Sequence, residues 1–262
     1  MKFLCFHGAT TNSEHFKKVI YHLRRNLELD GTATFYFLEA LFEAEPTPDI
    51  EYECPAPNLR WFDYDHLDLS KGVKHFAEMA TFNGMTSPED GVRRAWGRYG
   101  KGVGSSAELM LDYVRNIIED EGPFHGVIGA SEGGSAAATV LFDQLGLARK
   151  HGQPCPIQCG IFFVSTPPMT EDGEGCLLCD DDDRRITIPT CHIYSEKDLL
   201  CWMAKALQNV CQEDGKTIIL HEGGHTIPHT EKLMADVAEF VRRVKQGSTQ
   251  ETPLIVHNAA QG

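Results

Sequence analysis

Apolar and polar positions along the chain switch between two periods. Short apolar runs recur at Lys2-Phe3-Leu4-Cys5-Phe6, Thr34-Phe35-Tyr36-Phe37-Leu38, Gly126-Val127-Ile128, Gly160-Ile161-Phe162-Phe163-Val164, residues 186–194 and Lys216-Thr217-Ile218-Ile219-Leu220, and each has the length of a buried strand. Amphipathic stretches of helical period lie at about residues 13–28, 106–121, 132–149, 199–212 and 229–245. Strands alternating with helices predict an α/β fold, a mostly parallel sheet of about six strands with helices on both faces. Between residues 43 and 104 the periodicity fails. A stretch of that length inside a compact domain reads as a lid or functional insertion. Residues 246–262 are polar and mixed and read as a disordered tail, leaving one domain over residues 1–245.

Composition narrows the setting. The 262 residues are 42% hydrophobic, enough for one sizeable core, and no Pro/Gly/Ser-rich linker, repeat or low-complexity block divides them. A formal net charge of −14 argues against nucleic acid as a partner. No apolar run approaches the ~20 residues of a membrane span, and the chain opens directly on a strand rather than a signal peptide. Nine cysteines, an odd number, fit a reducing compartment, so a cytoplasmic protein is expected.

The chemistry starts at Gly129-Ala130-Ser131-Glu132-Gly133, which follows an apolar strand and precedes the small-residue run Ser135-Ala136-Ala137-Ala138. A serine that attacks a carbonyl must stand on a turn too sharp for bulky neighbours, and glycines two before and two after it supply the room. Ser131 is therefore the candidate nucleophile of an α/β-hydrolase fold. In that fold the acid and base follow in the order Asp or Glu, then His, each after its own strand. Asp198 follows the strand ending at Tyr194, with Glu196 as its rival. His225 follows the strand ending at Leu220, in a loop loosened by Gly223 and Gly224. His221 sits at the strand end and His229 is expected inside the next helix, so His225 is preferred. The acidic run Asp180 to Asp183 reads as a solvated loop.

The oxyanion formed on attack needs backbone donors. One is expected from Glu132, whose N–H follows the nucleophile and opens a helix. The other is expected from Ala9 or Thr10, in the loop His7-Gly8-Ala9-Thr10-Thr11-Asn12 after the first strand, with His7 orienting that loop.

These residues resemble a known family. Leu4-Cys5-Phe6-His7-Gly8, Gly129 to Gly134, Asp198 and Gly223-Gly224-His225-Thr226-Ile227-Pro228 are similar to the fungal serine hydrolases, also called ovarian-cancer-associated-gene-2-like hydrolases. The likeness spans roughly residues 1–245. It implies the α/β-hydrolase fold, the triad Ser131, Asp198 and His225, and hydrolysis of esters or thioesters, with polyketide release in some members encoded beside polyketide synthases. Glu132 departs from the glutamine common at that position, which leaves the backbone N–H intact.

Other features admit other readings. Cys155 with Cys159 and Cys176 with Cys179 offer four thiols, but a strand separates the pairs and a structural zinc site is not expected. The chemistry calls for no metal or organic cofactor. The lid carries Tyr52, Trp61, Phe62, Tyr64, Phe76, Phe82, Trp96 and Tyr99, expected mostly to pack the lid, with a minority lining an acyl pocket. Arg93, Arg94, Arg98 and Lys101 form a basic cluster that reads either as a solvated helix face or as a landing place for an acyl-carrier domain of a polyketide synthase. Three functions follow: a thioesterase or carboxylesterase with an acyl-enzyme, a hydrolase-fold binding protein without turnover, and a zinc-dependent interaction module.

Overall fold

The computed structural model describes residues 1–46, 54–64, 84–99, 103–247 and 255–257. Its strands are β1 (Lys2–Phe6), β2 (Thr34–Phe37), β3 (Phe42–Glu43), β4 (Leu59–Arg60), β5 (Gly126–Ala130), β6 (Cys159–Phe163), β7 (Thr190–Tyr194), β8 (Lys216–Leu220) and β9 (Ile255–Val256). Its helices are α1 (Ser13–Val19), α2 (Tyr21–Leu29), α3 (Pro88–Tyr99), α4 (Ser105–Glu121), α5 (Glu132–His151), α6 (Cys201–Asn209) and α7 (Glu231–Lys245). Seven strands pair in the order β2-β1-β5-β6-β7-β8-β9, every pair parallel, and β3 and β4 form a separate antiparallel pair. Among the described residues no helix is long and apolar enough to cross a membrane.

The inner strands β1, β5 and β6 are apolar on both faces, because helices cover both. Leu4, Phe6, Val127 and Phe162 pack with Met110 and Val114 of α4 and Ala136, Val140 and Leu141 of α5. Their alternate neighbours Phe3, Cys5, Ile128, Ile161 and Phe163 pack with Leu23 and Leu27 of α2 and Val237 and Val241 of α7. The chain leaves β1 toward one side of the sheet and leaves β5 toward the other, so the carboxyl ends of these neighbours form a switch point where loops part and leave a crevice.

Three departures from the sequence reading have local causes. The helix expected over residues 13–28 is two, because fully buried Ile20 turns out of helical backbone at φ −95°, ψ 23°. The strand expected from Ile186 begins at Thr190, after Pro189, which has no N–H to give the ladder, and Ile186 makes only a bridge to Cys211. The expected tail contributes β9: Ile255 pairs with Ile219 and His257 N–H donates to Leu220 O at 2.8 Å, so an apolar pair inside the polar tail closes the free edge of β8.

The start of α5 lies directly on the end of β1. A Cβ on Gly133 would lie well inside van der Waals contact distance of the carbonyl oxygens of Phe6 and His7, and these backbone atoms have nowhere to go. Gly146, on the exposed part of the same helix, has nothing within 4 Å of such a Cβ. Gly133→Ala is therefore expected to lose about 1–3 kcal/mol or more by overpacking, and Gly146→Ala to gain about 0.4–1 kcal/mol. Urea unfolding checks both, and equal effects would contradict this packing.

Two histidines sit neutral in the core. Burial pushes His7 down to about 4 and His192, stacked on Phe162 in the middle of the sheet, down to about 3. Both bind a proton in the unfolded chain near the ordinary imidazole pKa of about 6.5, long before they do so when folded. Their contribution to stability is whole above that pH and is lost as pH falls toward 4 and 3. The unfolding free energy of the wild type should fall on acidification below about 6.5, each histidine adding up to about 1.4 kcal/mol per pH unit. The slope should be shallower in His192→Gln, and an unchanged slope would contradict the assignment.

Candidate active site

Ser131 joins β5 to α5 with φ 51° and ψ −121°, a conformation that costs a serine about 1–3 kcal/mol. The surroundings hold it there. Its N–H donates to Phe163 O at 2.9 Å, and its own carbonyl accepts from Gly134 N–H at 3.0 Å and Ser135 N–H at 3.3 Å. A Cβ on Gly129 would collide with the backbone of Gly133 and Gly134, and one on Gly134 with Ser165. The glycines around Ser131 are thus steric requirements of the turn.

The loops after β7 and β8 bring the two expected partners to it. His225 Nε2 lies 3.1 Å from Ser131 Oγ, and His225 Nδ1 lies 2.7 Å from Asp198 Oδ2. Asp198 Oδ1 accepts from Leu200 N–H at 2.8 Å, so both carboxylate oxygens are engaged and the side chain is buried. With Asp198 accepting from Nδ1–H, Nε2 of the neutral ring is left to accept the serine proton, the arrangement of a general base beside a nucleophile. An ion pair between Lys197 and Glu222 ties the two loops together at the surface.

The rivals are placed elsewhere. Glu196 is exposed and pairs with Lys205 at 3.3 Å. His221 is buried, its pKa lowered by burial, and its Nδ1 accepts from Gly223 N–H at 3.1 Å, shaping the loop that carries His225. His229 lies outside the helix in which it was expected, because Pro228 and Thr230 precede a helix that begins at Glu231.

The loop after β1 lies against the nucleophile: the position of a Cβ on Gly8 is 3.6 Å from Ala130 O and 3.8 Å from Ser131 Cβ. Ala9 and Thr10 are in this loop, and Thr10 turns it through a left-handed φ of 60°. His7 sits beneath, its Nδ1–H donating to Gly8 O at 2.8 Å and its Nε2 accepting from Ala40 N–H at 3.1 Å, the orienting position expected of it. On the other side of Ser131, Glu132 opens α5. Its side chain, noted in the sequence only as a departure from glutamine, is buried and accepts from Trp61 N–H at 2.7 Å. Burial pushes this carboxyl up to about 7, against the opposing pull of the Trp61 N–H, Arg60 and Tyr64.

In the stretch expected to form a lid, Trp61 and Phe62 are fully buried and Tyr64 and Trp96 meet edge to face at 6.2 Å, so these four aromatics are packing residues. Tyr52, Phe76, Phe82 and Lys101, and the side chains of Arg98 and Tyr99, lie outside the described residues. The basic cluster is neutralised where it is described. Arg93 holds Asp180 at 2.5 and 2.9 Å and Asp181 at 2.8 Å, and Arg94 holds Asp90 at 2.9 Å. Asp180 and Asp181 are exposed, as a solvated loop would be, and serve as counterions of α3. Among the described residues no group of three or more His, Cys, Asp or Glu side chains is arranged to hold a metal ion, and Cys179 Sγ instead approaches Glu89 Oε1 at 3.3 Å.

Known proteins are similar to this chain. The esterase FPY3 of Fusarium mangiferae is 27% identical over 251 residues, 93% of this chain and 96% of that protein. The hydrolase phiM of Talaromyces stipitatus is 27% identical over 252 residues, 90% and 84% of the two chains. The crystal structure of Arabidopsis thaliana SOBER1 superposes with a TM-score of 0.52 at 15% identity, covering 94% of this chain and 99% of that one, and its likeness is one of fold, the α/β hydrolase. The family model described as serine hydrolase (FSH1) matches residues 1–237. With nine-tenths of its length inside that match, the chain belongs to the serine hydrolase (FSH1) family and is a hydrolase.

Proposed function

We propose that the protein cleaves carboxylic esters or thioesters through an acyl-enzyme on Ser131. The observation that carries this reading is the unbroken hydrogen-bonded line from Ser131 Oγ through His225 to the buried Asp198. His225 takes the serine proton as Oγ attacks the acyl carbonyl, and Asp198 holds the ring in the required tautomer and stabilises the imidazolium. The oxyanion is met by the N–H of Glu132 at the head of α5 and by that of Ala9 or Thr10. The tetrahedral species collapses, and the leaving alcohol or thiol departs with the proton from His225. Water, deprotonated by the same ring, then attacks the acyl carbon and releases the acid and free Ser131.

An uncharged acyl ester is the first substrate to try, since two of the relatives carry the names esterase and hydrolase. Release of an acyl or polyketide chain from a carrier domain is the narrower form of the same chemistry. It would need a surface for an acidic partner on a strongly acidic protein, and Arg93 and Arg94 already serve Asp180, Asp181 and Asp90. A free small-molecule ester or thioester is accordingly favoured over a carrier-bound one.

Ser131→Ala and His225→Ala are expected to lower kcat by about 10⁴-fold or more, and Asp198→Asn by a comparable factor. Glu196→Gln, His221→Ala and His229→Ala should stay within about tenfold of wild type. Hydrolysis of a graded series of p-nitrophenyl esters and acyl thioesters measures all six. Retained turnover in folded Ser131→Ala, or a crippled Glu196→Gln, would overturn the assignment of nucleophile or acid respectively.

A further inference from the structure

The reading of Ser131 as nucleophile leaves the side chain of Glu132 without a role, although a buried carboxyl beside the reacting centre is costly to keep. Glu132 Oε2 accepts the backbone N–H of Trp61 at 2.7 Å, across 71 residues of sequence. The Tyr64 hydroxyl bonds the same carboxyl. Trp61 then reaches to the other side: its indole N–H donates to His7 O at 2.7 Å, and its ring lies 5.0 Å from Phe6 and 5.3 Å from His7. The lid segment around it is sewn to the loop after β1. Leu59 N–H donates to Thr11 O at 3.0 Å, Asn58 Nδ2 to Thr10 O at 2.7 Å, and Asn12 Nδ2 to Pro55 O and Pro57 O at 2.8 Å each.

The two sides of Ser131 are therefore joined by one strap, which runs from the strand-to-helix turn at Ser131, the elbow, to the Glu132 carboxyl, Trp61, the His7 carbonyl and the loop of Ala9 and Thr10. We infer that Glu132 is a positioning residue, whose carboxyl holds the lid segment at Trp61 and through it sets the spacing between the two backbone donors that meet the oxyanion. This rests on the acyl-enzyme reading above. The carboxyl does not touch the reacting atoms. It acts by keeping the Glu132 peptide and the loop after β1 in register, and donors that stabilise a transition state lose effect steeply with sub-ångström displacement. Without the carboxyl, the Trp61 N–H is left buried and unpaired and pulls the segment toward water.

The test is Glu132→Ala, Glu132→Gln and Trp61→Phe against wild type and Ser131→Ala, with p-nitrophenyl butyrate as substrate and a fluorophosphonate as label. Glu132→Ala should lower kcat roughly 10- to 100-fold with KM within about threefold, and slow labelling in proportion. Glu132→Gln keeps an oxygen for the Trp61 N–H and an amide N–H that the Tyr64 hydroxyl can accept. It should restore kcat to within about threefold of wild type. Trp61→Phe keeps the ring and the backbone N–H but drops the bond to His7 O, and should lower kcat several-fold, again with little change in KM. Wild-type kcat in Glu132→Ala overturns the proposal, as does a Glu132→Gln variant as impaired as Glu132→Ala. If Glu132→Ala does not fold, Trp61→Phe decides, and an unchanged kcat there overturns the strap. An active Ser131→Ala would instead overturn the acyl-enzyme reading, so the two failures are told apart.

Discussion

The backbone of Ser131 is the constraint around which the rest is arranged. A serine at φ 51° is held in a conformation it does not favour, and it stays there because its N–H is tied to Phe163 O in the neighbouring strand and its carbonyl to the first turn of α5. That turn fits only because residues 129, 133 and 134 have no side chains, so that β5, the start of α5 and the end of β1 approach to backbone contact. The strain is thus sustained by packing in both core layers of the sheet, whose apolar strands leave the elbow no room to relax.

From that point the geometry of the site follows from parallel strands. Because β1, β5, β7 and β8 all run the same way, the loops that leave their carboxyl ends gather at one edge. The loops after β7 and β8 are adjacent, and there the buried Asp198 carboxylate meets His225 Nδ1 at 2.7 Å. The loop after β1 lies on the other side, anchored by the neutral ring of His7 between Gly8 O and Ala40 N–H. Burial keeps that ring uncharged, so it works as a rigid bridge rather than as a base.

What the sequence disclosed and what it withheld divide along contact distance. The elbow was legible because its steric requirement is written in consecutive residues, 129 to 134. The three side chains that the fold brings together, Ser131, Asp198 and His225, could be picked out because each follows a recognisable apolar strand. The carboxyl of Glu132 was not, since its partner Trp61 lies 71 residues away in a stretch without periodicity. The same holds for Arg93, whose charge looked available until the fold set Asp180, 87 residues on, beside it. Break points set by packing were also hidden: Ile20 divides an amphipathic run that reads as one helix, and β9 forms because the edge of β8 offers a ladder to an apolar pair in an otherwise polar tail. The seventh strand and the counterions of Arg93 both came from long-range pairings that no local pattern announces, whereas Arg94 and Asp90 are a local i,i+4 pair.

The proposed hydrolysis passes through a covalent intermediate at one oxygen atom, Ser131 Oγ. Intact-mass spectrometry of the protein quenched in acid during turnover of a slowly deacylated ester, followed by peptide mapping, tests it most directly. A mass increase of one acyl group per chain is expected, carried by the peptide that contains Ser131 and lost with the rate of product release. Turnover without any acylated species when a pre-steady-state burst is seen, or acylation mapped to a different residue, would contradict it.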